Sequence, residues 1–249
     1  MAEKPKQRRV RADALRNREH ILRAAGDLLV EEGPTVPLEA IARRAGVGIA
    51  TLYRHFSDRT VLLRQVAVDA FRQATEAATA ALAEEPDAFA ALARYLHDTI
   101  DIRVGMIMAT LHDQLLVDDE LYATCHGSAE AQAALVRAAH DEGSLRQDVG
   151  AGDIGLLMIR MTPPLPVGLS PEDNHRLSHR QLELVLDGLL RFVAADSLPG
   201  RPLAMDELGL GAQDGDGQDK QMLAGGPIRC RFTPGPDVDT AGRSTTSGS

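Results

Sequence analysis

The chain has 249 residues, 44% of them hydrophobic, and a formal net charge of -9, which is enough apolar material for one sizeable core or for a small unit beside a larger one. Its two cysteines, Cys125 and Cys230, lack Cys-x-x-Cys spacing and are too few for a disulfide framework, so a reducing cytoplasm is expected. The basic, polar start from Met1 to Arg18 has no apolar run behind it to make a secretory signal, and no stretch approaches the ~20 apolar residues of a membrane span.

The charge is unevenly placed. Residues 1–64 hold 13 Lys and Arg against 8 Asp and Glu, whereas the remainder holds 14 against 28. A basic module joined to an acidic body can attract phosphates while the body resists nonspecific wrapping.

Residues 1–12 read as a basic, disordered arm through Lys4, Lys6, Arg8, Arg9 and Arg11. Asp13 is a candidate cap for a first helix reaching about Glu32, with Ile21, Ala24, Ala25 and Leu28 as its buried stripe and Gly33-Pro34 as its stop. A short second helix is expected over about Pro37 to Arg44, ended by Gly46, and a third over about Gly48 to His55. Ser57 is the expected cap of a long fourth helix that starts near Asp58 and ends before Pro86.

The remainder also reads as helical. Asp87 to Val104 places Phe89, Leu92, Leu96 and Ile100 at helical spacing, and Gly105 to Leu116 is a shorter apolar segment. Ser128 to Glu142 is amphipathic, Asp153 to Met161 is nearly all apolar, and Pro163, Pro164 and Pro166 break the chain before a last helix from Ser170-Pro171 to about Ala194. No useful stretch alternates with period two, so no sheet is expected. Beyond Ser197 apolar residues thin out, and the tail 198–249 reads as mostly disordered, although Leu198 to Leu210 carries enough leucine to lie along the body. The fold class is therefore all-α: a three-helix unit over 13–57, then a larger helical body over 58–197.

The first three helices suit one task. Ala42 is small enough for a close helix crossing, Gly46 can supply a positive φ, and Ile41, Ala45, Val47 and Leu52 fall where a small core needs apolar groups. Gly48, Ile49, Ala50, Tyr53 and Arg54 are left to face a major groove, as in a helix-turn-helix. The run Ile41-Ala42-Arg43-Arg44-Ala45-Gly46-Val47-Gly48-Ile49-Ala50-Thr51-Leu52-Tyr53-Arg54-His55-Phe56 resembles the signature of TetR-family regulators, and Ile21 to Ala25 with Glu31-Glu32-Gly33 resembles that family's first helix. The strong match spans about Arg16 to Leu63. It implies a homodimer that binds a near-palindromic DNA operator and usually responds to a small-molecule effector; no cofactor is expected. It also implies that Thr51, Tyr53 and His55 contact phosphates, with Arg59 standing where the family usually has a Lys.

Base reading is sparse. Gly48, Ile49 and Ala50 offer only apolar contacts, for example to thymine methyls, which leaves Arg54 as the strong donor on the third helix. Glu39 can accept from a cytosine amino group or simply favour the helix dipole. Specificity is then expected to lean on Arg54, methyl contacts and the basic arm in a minor groove.

In the body, Met108, Leu111 and Met158 are candidates to line an effector pocket, with His97 and His112 as polar groups facing it; ordinary core is the simpler role for each. His175 and His179, four apart on the last helix, have chelating spacing, but no third ligand is apparent in the sequence, so no metal is expected. Cys125 is expected to be an unreactive thiol. No nucleophile elbow, phosphate-binding glycine loop or metal triad points to an enzyme. The expected function is a repressor released from its operator by a small ligand; a ligand-independent repressor or activator is the alternative.

Overall fold

The computed structural model describes residues 5–111, 118–162, 169–189, 198 and 201–203. Among these residues there are nine helices and no strand. No described helix is long and apolar enough to cross a membrane.

Helix α1 (Pro5–Glu32) starts eight residues before the expected Asp13 cap. Proline suits a first helical turn, and Lys6 to Ala12 contains no residue that would stop a helix. The basic stretch from Pro5 is therefore continuous helix rather than a disordered arm, and Asp13 pairs within the helix with Arg16. The expected stripe is buried: Ile21, Ala24, Ala25 and Leu28 are all inside the core.

Helices α2 (Leu38–Arg44) and α3 (Ile49–His55) are joined by a tight turn. Gly46 has φ 70°. Its N–H donates to the Arg43 carbonyl at 3.2 Å, and the Val47 N–H donates to the Ala42 carbonyl at 3.0 Å. This 5→2 and 6→1 pair is a Schellman closure, which puts the residue just past the C-cap, here Gly46, in the left-handed region and so favours glycine. Helix α4 (Arg59–Glu84) is capped by Asp58, whose carboxylate accepts from the Val61 N–H at 2.9 Å, so the cap lies one residue beyond the expected Ser57. A carboxylate outcompetes a hydroxyl at this position through its charge at the positive helix end, and Ser57 instead donates to Asp58 at 3.1 Å.

Helix α5 (Ala88–Ile102) ends at Arg103, a non-glycine residue at φ 64°, and the chain re-enters helix at once in α6 (Val104–Leu111). Helix α7 (Asp119–Glu142) begins nine residues before the expected Ser128, because Asp118 caps it by accepting from the Leu121 N–H at 2.9 Å. Helices α8 (Ala151–Met161) and α9 (Pro171–Leu189) follow. Pro163, Pro164, Pro166 and the expected end of the last helix near Ala194 lie outside the described residues.

Helix α4 belongs to two apolar clusters. Its first half, through Leu62, Val66 and Phe71, packs with α1, α2, α3, α6 and the start of α7. Its second half presents Ala74, Ala78 and Ala81 to α5, α7, α8 and α9. Small residues at that spacing let neighbouring helices approach closely. Ion pairs fasten these helices to one another. Arg64 on α4 pairs with Asp118 at 2.5 Å and Glu120 at 2.7 Å, and Arg103 pairs with Asp27 on α1 at 2.9 Å.

Helix α9 and the described part of the tail both lie against the body. Leu186 and Leu189 on α9 are buried against the protomer's own core together with Leu182. The tail does lie along the body where it is described: the Leu203 carbonyl accepts from the Gly152 N–H at 2.9 Å, and the Leu203 N–H donates to Asp153 at 3.0 Å.

Candidate functional site

The short α2–turn–α3 unit presents one face to solvent. Gly48, Ala50, Tyr53 and Arg54 are exposed, with Tyr53 at 48%. Thr51 and His55 are half-buried beside them. Ile49 departs from the expected groove-facing set because it leans on the apolar cluster beneath, and Leu52 is fully buried under the unit. Glu39 is exposed in the first turn of α2, where its charge suits the helix dipole. Arg54 donates to Thr51 Oγ1 at 2.9 Å, so the two polar side chains of the face are held to each other in the free protein.

Arg59 is placed differently from the expected phosphate grip. Its guanidinium turns back to the carbonyls of Pro34 and, at 2.5 Å, of Val36. It thereby ties the start of α4 to the loop between α1 and α2. Arg18, which the sequence reading passed over, holds the other side of the unit: its guanidinium lies 5.4 Å from the Phe56 ring centroid and donates to Gln65.

The His55 pKa is lowered by burial first, then by the neighbouring Arg54 and Arg18 charges. The ring is therefore neutral where an unburied histidine would already be charged. For a base with a lowered folded pKa the unfolded state binds more protons, so stability is full above the ordinary value of 6.5 and falls as pH drops below it. A His55→Asn variant is expected to lose part of that acid sensitivity, seen as a smaller change in melting temperature between pH 7.5 and 5.5 than in the natural chain.

Behind the reading unit, a cavity opens between α4, α5, α6, α7 and α8. Met108 and Met158 line it together with Phe71 and Val104. Among the described residues its polar groups are Tyr95, Thr99, Ser128, Gln132 and Thr162, and no described lining side chain carries a formal charge at neutral pH. The Tyr95 hydroxyl lies 3.4 Å from Gln132 Oε1, and Gln132 donates onward to the Ala151 carbonyl at 2.8 Å. Burial pushes the Tyr95 phenol up, against a Ser128 hydrogen bond that lowers it, so it is a neutral donor. Burial also pushes the Cys125 thiol up to about 12, which leaves it protonated and poor as a nucleophile at neutral pH. Of the remaining candidates, Leu111 is fully buried core and does not line the cavity. His97 faces the other way, onto α9, because the cavity side of α5 is taken by Tyr95 and Thr99. His112 lies outside the described residues.

Comparison with known proteins gives these features a common origin. Residues 21–66 match the model described as "Bacterial regulatory proteins, tetR family", and residues 85–191 match "Transcriptional regulator SbtR-like, C-terminal domain". A TetR transcriptional regulator from Streptomyces coelicolor is 30% identical, with a TM-score of 0.55, over 70% of this chain and 98% of that one. A TetR transcription regulatory protein from Mycobacterium vanbaalenii is 32% identical, with a TM-score of 0.52, over 73% of this chain and 99% of that one. An HTH-type transcriptional regulator of Staphylococcus aureus is 43% identical over 54 residues, which is 21% of this chain and 29% of that protein. That last match covers less than a third of the relative. With the register of α2 and α3, the all-helical body and these full-length structural relatives in agreement, the chain belongs to the TetR family of DNA-binding transcriptional regulators and is not an enzyme.

Proposed function

We propose that the protein is a cytoplasmic repressor that binds a near-palindromic operator as a homodimer and leaves it when a small neutral ligand enters the cavity. The cavity is the observation that carries this reading. It is apolar, has hydroxyl and amide groups at its wall, and is bounded by α4 and α6, the same helices that pack against the reading unit. An uncharged, lipophilic molecule with one or two hydrogen-bonding groups suits such a lining. Ligand that prefers one arrangement of α4 and α6 over another shifts the spacing of the two recognition helices from the roughly 34 Å of one DNA turn.

In this reading Thr51, Tyr53 and His55 hold phosphates, Arg54 reads a base edge, and Gly48 and Ala50 allow the backbone close to the groove floor. The outer faces of α8 and α9 form the subunit contact. Leu184, 67% exposed on α9, is the apolar group that face offers to a second copy, in place of the inward-facing Leu186 and Leu189.

The test is fluorescence polarisation on an operator selected from random DNA, screened with neutral lipophilic compounds. Compounds that release the natural protein are expected to fail on a Ser128→Phe variant, which fills the cavity. Equal release of both proteins would refute the cavity as the effector site. Leu184→Glu is expected to give a folded monomer in sedimentation equilibrium with operator affinity down by at least about 100-fold, a scale set by the loss of the second half-site. A persistent dimer would move the interface elsewhere.

A further inference from the structure

The sequence pattern of two histidines four apart finds its missing partner in three dimensions. Asp101 on α5 stands opposite His175 and His179 on α9, and the three ligand atoms lie within 4.8 Å of one another. Asp101 Oδ1 is 3.0 Å from His179 Nε2 and 3.2 Å from His175 Nε2. A tetrahedral ion with bonds of about 2.0–2.1 Å to nitrogen and oxygen has ligand-to-ligand edges of about 3.3 Å. Both imidazole nitrogens therefore converge on one carboxylate oxygen at nearly the spacing that metal ligation requires.

Behind the liganding pair, Glu183 Oε1 lies 2.9 Å from His97 Nε2, and His97 Nδ1 lies 2.7 Å from His179 Nδ1, with the His97 and His179 rings stacked at a centroid distance of 5.0 Å. With a divalent cation between His179 Nε2, His175 Nε2 and Asp101 Oδ1, the chain Glu183–His97–His179 is the outer support that holds the liganding ring in one orientation.

We propose that Asp101, His175 and His179 form a site for a borderline first-row divalent ion of the Zn²⁺ type, with Glu183 and His97 as positioning residues. Two imidazoles and one carboxylate suit such an ion better than Ca²⁺ or Mg²⁺, which take oxygen ligands. Because the ligands come from α5 and α9, the ion fastens the last described helix to the body. The site is separate from the effector cavity, whose lining includes none of these residues.

The probe is Zn²⁺, with Co²⁺ as its coloured substitute, titrated into the untagged, chelator-treated full chain. One equivalent per protomer is expected to bind by calorimetry, to raise the melting temperature, and to give Co²⁺ absorption bands in the visible. His175→Ala and Asp101→Asn are expected to weaken binding by about 100-fold or more and to abolish the thermal shift. Glu183→Gln is expected to weaken it by about 10–100-fold, the range for outer-shell partners of metal ligands. His175 and Asp101 are exposed, so unchanged helical circular dichroism separates ligand loss from unfolding. Zn²⁺ binding that is equally tight in His175→Ala and Asp101→Asn, or no stoichiometric uptake at micromolar Zn²⁺ by the natural chain, overturns the proposal.

Discussion

Valine at position 105 is expected to cost roughly 3 kcal/mol, the upper part of the range for overpacking a well-filled core, and so to lower the melting temperature by about 6–12 °C. Gly105 sits in α6 where that helix crosses α8. A Cβ there would lie 2.2 Å from Thr162 Oγ1, 2.9 Å from the Met158 carbonyl and 3.2 Å from Ile159 Cα. The threonine hydroxyl can rotate away, at the expense of its bond to the Met158 carbonyl, but the two backbone atoms cannot yield without moving α8. Better helix propensity than glycine returns about 1 kcal/mol for alanine, so Gly105→Ala is expected to be the milder change and Gly105→Val the severe one. Since Ile107 and Leu111 on the same short helix pack into the cluster that holds α1 to α3, displacement of α6 is also expected to weaken operator binding. A Gly105→Val protein with the natural melting temperature would show that α6 and α8 can separate freely.

The second large effect concerns the DNA face, where two substitutions report different kinds of contact. Arg54→Ala is expected to cut discrimination at one operator position by about 1–3 kcal/mol, or roughly 5–150-fold, while leaving nonspecific binding closer to normal. Tyr53→Ala is expected to weaken all sequences alike by about 0.5–1.5 kcal/mol per protomer, as loss of a neutral phosphate contact does. Competition titrations against single-base operator variants distinguish these patterns. Arg54 must give up its bond to Thr51 in order to read a base, so Thr51→Val is expected to alter the sequence preference as well as the affinity. Uniform loss on Arg54→Ala, with a salt slope smaller by about one, would instead place its guanidinium on a phosphate.

How much of this was legible in the residues follows from how local each interaction is. The α2–turn–α3 unit is specified within about twenty positions: Ala42 at the crossing, Gly46 at its positive φ, and Leu52 beneath form a pattern that few other structures require. The start of α7 is less legible because Asp118, Asp119 and Glu120 suit a polar loop as well as the acidic first turn of a capped helix. The faces of α9 are not legible for a different reason. Spacing identifies Leu182, Leu186 and Leu189 as one stripe, but whether that stripe meets its own body or a second copy depends on where α5 lies. His97 was given to the cavity because α5 is amphipathic and a histidine beside Leu96 suits either side. Asp101 gave no signal as a partner of His175, since 74 positions separate them and only the packing of α5 on α9 brings them together. Arg59 carried a resemblance-based role, but the bare Pro34 and Val36 carbonyls at the end of the α1–α2 loop provide acceptors that a sequence comparison does not show.

Helix α4 also has the dimensions of a lever. Its 26 residues span about 39 Å, from Asp58 beneath the reading unit to the alanines packed in the body. Pivoting it by about 5° at the body end carries the other end through about 3 Å, on the order of a quarter of the width of the major groove. In the proposed function, a bound molecule would have only to lean on Phe71, close to the middle of this rod, to throw the fingers of a dimer out of step with the turn of the double helix.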